Sequence, residues 1–92
     1  MKVTLEVTFR MGGVDFRGHR WDGDTLVFEF ERRGDAYIQV LSDRKVEVEV
    51  EKRPKKVVVE LHTKEGTKTY EAFERDASTW PPSFELRASQ TF

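Results

Sequence analysis

Polar and apolar residues alternate along most of the chain, and the clearest stretch runs from Val46 to Leu61. Val46, Val48 and Val50 alternate with Glu47, Glu49 and Glu51; Arg53-Pro54-Lys55-Lys56 breaks the pattern, and Val57, Val59 and Leu61 resume it. Successive side chains of a strand point to opposite faces, so this stretch predicts two strands, each with an aliphatic face and a charged face. Such a pair is not stable alone in water, and other strands must cover the valines.

The rest of the chain supplies them. Lys2 to Met11 predicts a first strand with Val3, Leu5, Val7, Phe9 and Met11 inward. Gly12-Gly13 then reads as a hairpin turn, because glycine accepts the positive φ that primed turns require. Val14 to Trp21 returns with Val14 and Phe16 on one face. Trp21 falls on the opposite parity, and Gly18 between them is the place for a bulge that resets the register. Asp22-Gly23-Asp24 is a second turn, and Thr25 to Arg32 a third strand with Leu26, Phe28 and Phe30 inward.

Arg33-Gly34-Asp35 turns the chain into a predicted strand at Ala36 to Ser42, with Ala36, Ile38 and Val40 on one face and Tyr37, Gln39 and Leu41 on the other. Beyond Leu61, Glu65-Gly66 turns the chain again and Thr67 to Glu74 pairs back. Its inward set is either Tyr70 with Ala72, or Phe73 with the threonines. Asp76 to Ser83 has no period and contains Pro81-Pro82, which cannot donate to a ladder, so it reads as an ordered loop over one end. Phe84 to Ser89 predicts a last strand with Phe84, Leu86 and Ala88 inward, and no segment has helical spacing.

Seven or eight such strands joined mostly by short turns predict an all-β, antiparallel sandwich over residues 1–92, with a small closed barrel as the alternative. A sandwich needs a connection that crosses between its sheets, and Lys52 to Lys56 or Arg75 to Ser83 can serve.

Ninety-two residues make one domain that buries about 60–65% of its unfolded surface, too little for a core and a deep cavity together. Without cysteine there is no disulfide, no thiolate metal site and no thiol nucleophile. No apolar run approaches the ~20 residues of a membrane span and no signal peptide opens the chain, which sets the expectation of a soluble protein, cytoplasmic or recombinantly expressed. Sixteen basic residues against seventeen acidic, interleaved, argue against nucleic acid as a partner and for a solvated surface. Charged residues make up 36% of the chain against ~25% in typical domains. Asparagine is absent, and one isoleucine stands against eleven valines. This fits a hyperthermophile protein, and equally a designed one written apolar-in and charged-out.

Candidate chemistry is sparse. His19, Asp22 and Asp24 offer nitrogen and oxygen ligands, but three groups on one turn form no metal motif, and the turn itself explains the aspartates. His19 has no nucleophile or orienting partner in any recognisable motif, so no catalytic residue is assigned. His62 shares the solvent face of its strand with Glu60. Trp21 and Trp80, with Tyr37, offer flat rings for a sugar, or for single-stranded bases aided by Arg10, Arg17 and Arg20; the alternative is that both tryptophans cap the core. Arg33-Gly34-Asp35 resembles the integrin-binding tripeptide of adhesion proteins, which implies receptor contact through Arg33 and Asp35, with Gly34 at the tip. The basic block Lys52-Arg53-Pro54-Lys55-Lys56 reads as a charged turn that discourages aggregation, with phosphate contact or a localisation signal as alternatives. Short stretches such as Trp80-Pro81-Pro82-Ser83-Phe84 resemble pieces of antibody light-chain hypervariable segments. They stand in another order and without framework cysteines, and no function is drawn from them.

The expectation is a monomeric, non-enzymatic, highly stable β-sheet scaffold or binding module of designed type, without cofactor, whose loops take any protein or carbohydrate ligand. A small thermophile ligand-binding domain using Trp21 and Trp80 is the alternative, and integrin-type recognition a third reading.

Overall fold

A computed structural model describes residues 1–10, 12–33, 42–75 and 82–86. Its strands are β1 (Lys2–Phe9), β2 (Val14–Asp22), β3 (Thr25–Arg32), β4 (Ser42–Glu49), β5 (Lys56–Thr63), β6 (Gly66–Glu74) and β7 (Ser83–Leu86). The predicted strand at Ala36 to Ser42 lies outside the described residues except for Ser42, which begins β4. Met11, the segment 76–81 and the end of the last predicted strand also lie outside them.

The seven strands form one sheet in the order β2-β3-β5-β6-β7-β1-β4. The sheet folds over on itself, as the alternation requires. One layer is β4-β1-β7 and the other β2-β3-β5-β6. β6 joins them, pairing with β5 along residues 66–72 and with β7 through Phe73 and Glu74. On the opposite side the outer strands approach one another, and Arg44 Nε donates to the Val14 carbonyl at 3.4 Å. The architecture is therefore an all-β sandwich nearly closed into a barrel, and both forms anticipated from the pattern describe it.

Inward positions match the alternation. Val3, Leu5, Val7 and Phe9 of β1 and Leu26, Phe28 and Phe30 of β3 are buried. So are Val57, Val59 and Leu61 of β5, Val48 of β4 and Val50 just beyond it, and Phe84 and Leu86 of β7. Phe9 and Phe30 meet edge to face, 5.1 Å between centroids, and tie the layers together. In β6 the inward pair is Tyr70 with Ala72, while Phe73 stays 52% exposed.

The bulge falls where expected. The β2–β3 register shifts between Phe16 and Gly18, and Gly18 has φ 143°. After the shift Trp21 pairs with Leu26 and packs against the core. Two tight hairpins, β2–β3 and β5–β6, also form as the turn residues dictate. The chain crosses between layers at residues 50–55, where Pro54 is buried, as anticipated for the Lys52 to Lys56 break.

Pairing differs from the expectation in two respects. Gly12-Gly13 does not close a hairpin: β1 pairs with β4 and β7, and β2 with β3. Gly13 serves a close approach instead. Gly13 has φ 71°, its carbonyl accepts from Arg33 N at 2.8 Å, and a Cβ there would stand 3.3 Å from the Arg33 carbonyl. The sheet is also mixed, since β1 with β7 and β3 with β5 run parallel. Alternation fixes which face is inward but not which strand lies alongside, so it is silent on direction. Among the described residues no helix is long and apolar enough to cross a membrane.

Candidate functional site

The parallel register of β3 against β5 brings together a group of charged and polar side chains. It sets Glu29 opposite Glu60 and Glu31 opposite His62. Like charges directly across a ladder repel one another, and neighbouring side chains answer that repulsion. From β2, Arg20 Nη2 donates to Glu60 Oε2 at 2.9 Å, and its Nη1 stands 3.7 Å from Glu29 Oε1. From β5, His62 Nε2 lies 2.9 Å from Glu60 Oε1 and 4.0 Å from Glu29 Oε1. From β6, Thr67, which pairs with His62 across the hairpin, places Oγ1 3.0 Å from His62 Nδ1. All these groups stand on the outward face. Val27 is buried on that face too, between Arg20 and Val58 in the ladder. Glu60 is the least exposed of the three carboxylate and imidazole groups, with 15% of its side-chain surface open.

Of the residues singled out for aromatic stacking, the structure describes Trp21, Arg17 and Arg20, and it puts Trp21 and Arg20 on opposite faces. Trp21 is half-buried against the core, with Lys52 Nζ 4.8 Å from its ring centre. Arg20 follows the opposite, outward face beside Glu60. Arg17 pairs with Glu31 at 3.0 Å. Tyr37 and Trp80 lie outside the described residues, as do Gly34 and Asp35; Arg33 pairs with Asp15. His19 is exposed opposite Phe28. Within the basic block, Arg53 pairs with Glu74 and Lys56 with Glu71.

The Asp22-Gly23-Asp24 turn is held by the crossover rather than by His19. Lys52 Nζ reaches Asp24 Oδ1 at 3.1 Å and the Gly23 carbonyl at 3.3 Å, and Lys55 Nζ lies 3.5 Å from Asp24 Oδ2. The Lys52 hydrogen bond and charge, with Lys55 adding to them, hold the Asp24 carboxyl below its ordinary 3.8. A carboxyl depressed in the folded chain contributes stability above its unfolded value and loses that contribution as pH falls through the folded value, here below about 4. An NMR titration of the Asp24 side chain is expected to give a midpoint below 3.8, and Lys52→Met to raise it. A midpoint indifferent to that substitution would mean the turn is not held by Lys52.

Sequence reasoning placed Glu60 and His62 on one face but missed Glu29 and Arg20, because no local signal tells that β3 and β5 are neighbours. Comparison with protein-family models, with curated proteins and with solved structures finds no match.

Proposed function

We propose that this chain is a non-enzymatic, highly stable β framework, of designed or thermophile type, whose connecting segments rather than strand faces carry any recognition of protein or carbohydrate. The observation that supports this is the charge pairing across the outward face of the β2-β3-β5-β6 layer. Arg17 with Glu31, Arg20 with Glu29, and Lys56 with Glu71 link neighbouring strands, and Arg20 also reaches across β3 to Glu60 of β5. Exposed pairs contribute little singly at room temperature. Linked into networks they gain weight on heating, because the cost of desolvating charge falls.

Thermal unfolding followed by circular dichroism tests the stability. The expected midpoint lies above about 90 °C, the range of hyperstable domains. A midpoint in the mesophile range of about 45–65 °C would remove the basis of the proposal. Tryptophan emission, recorded with oligosaccharides and with single-stranded oligonucleotides, separates the framework from the ligand-binding alternative. Blue-shifted emission that no ligand changes fits the half-buried Trp21, whereas quenching would favour a site using Trp21 and Trp80.

A further inference from the structure

We propose that Glu29, Glu60 and His62 form a three-ligand site for a divalent transition metal of the zinc type on the outward face of the β3–β5 pair. One ligand atom from each lies within 4.8 Å of the others. Zinc bonds of about 2.0–2.2 Å put two ligand atoms of one tetrahedral ion roughly 3.3–3.6 Å apart. The 2.9 Å and 4.0 Å distances from His62 Nε2 to the two carboxylates straddle that spacing, so small side-chain rotations suffice. The ligands stand on adjacent strands whose backbone register fixes them, which suits a metal site better than a loop does.

The supporting contacts point the same way. Metal-bound imidazoles hold their second nitrogen in a hydrogen bond, and bound carboxylates are themselves braced. Thr67 Oγ1 lies against His62 Nδ1 and Arg20 Nη2 donates to Glu60 Oε2, while His62 Nε2 and Glu60 Oε1 face each other at 2.9 Å. In the tautomer whose Nδ1–H donates to Thr67, the Nε2 lone pair faces the carboxylate oxygens, and binding a cation there would select that tautomer. Two carboxylates against one guanidinium also leave the group a net negative charge. The longer Arg20 contact, 3.7 Å to Glu29 Oε1, is the one an ion would replace. Glu29 and His62 keep 31% and 41% of their side-chain surface open, so water can complete the coordination. The imidazole is the ligand that favours zinc, nickel or copper over the magnesium and calcium that carboxylates alone would take.

The test is calorimetric titration of the tag-free chain with zinc chloride, repeated on single variants. One ion per chain is expected, in the micromolar range, with a rise in the unfolding midpoint. His62→Gln and Glu60→Gln should each weaken binding by about 100-fold or more, and Thr67→Val by about 10-fold. His19→Gln should leave it unchanged. No saturable binding up to about 1 mM zinc, or binding that survives His62→Gln or vanishes with His19→Gln, would overturn the proposal. Should a variant fail to fold, amide shifts of the unmodified chain decide. Zinc-induced changes centred on residues 20, 29, 60, 62 and 67 support the site, and changes centred elsewhere refute it.

Discussion

Replacing Phe30 by alanine is expected to cost about 3–5 kcal/mol of folding stability, among the largest losses a single truncation can cause here. Phe30 is fully buried, and it stands where β3 in one layer faces β1 in the other. Its ring receives Phe9 edge-on at 5.1 Å and touches Phe16 at 5.3 Å. Removing it takes apolar surface from both layers at once and leaves the Phe9 ring without its partner. Phe16, already 36% exposed, is part of an outer strand and poorly placed to fill the space. Domains of this size have a total stability of about 5–15 kcal/mol, so the loss should shift the denaturation midpoint visibly. Phe73→Ala is the internal control. That ring is 52% exposed, and its loss should fall within about 0.5 kcal/mol. A Phe30→Ala cost below about 1.5 kcal/mol would mean that the layers are not pinned by this contact.

A chain ending at Arg75 is expected not to fold. β7 is only four residues long, yet it lies between β6 and β1 in the sheet. It pairs parallel with β1 from Thr4↔Ser83 to Val7↔Leu86, and antiparallel with the end of β6 at Phe73↔Glu85 and Glu74↔Phe84. Without it, the β1–β4 pair has no ladder to the other four strands among the described residues. Phe84 and Leu86 would leave the core, and the facing edges of β1 and β6 would open. The same segment supplies the Pro82 carbonyl that accepts from Thr4 N and the Ser83 carbonyl that accepts from Arg75 N. Amide spectra of the shortened chain should lack the dispersion of a folded β protein, and heating should show no cooperative transition. A dispersed spectrum with a sharp melt would show that the two halves associate through side chains alone.

What the sequence made legible was local. Val46, Val48 and Val50 turn inward because period-two alternation leaves no other face for them. The β2–β3 and β5–β6 turns and the Gly18 bulge are written in glycine and aspartate chemistry at single positions. Trp21, on the wrong parity for its strand, reaches the core through that bulge. The threonine-rich β6 was ambiguous because Tyr70 and Phe73 compete on opposite faces, and only its register with β5, which sets Tyr70 opposite Val59 and Ala72 opposite Val57, decides between them. Neighbour relations were not legible. Nothing in Lys2–Phe9 names Ser42–Glu49 and Ser83–Leu86 as its partners, and Gly12-Gly13 fits a close backbone approach as well as it fits a hairpin. The polar group of Arg20, Glu29, Glu60 and His62 depends wholly on such a relation. Its Glu60-x-His62 half is visible in one strand, while Glu29 enters through a parallel register that joins residues 31 positions apart.

β1 comes earliest of the described strands, yet its ladders close only when β7, the latest of them, is made. β1 finds β4 some forty residues later and β7 only at the far end of the chain. The loop entropy of both closures must be overcome before either ladder stabilises anything, which places folding among the slower small domains, in milliseconds to seconds. Until then Val3, Leu5, Val7 and Phe9 remain an uncovered aliphatic ribbon during synthesis. That interval, rather than the finished fold, is where this chain is most exposed to self-association and to capture by chaperones.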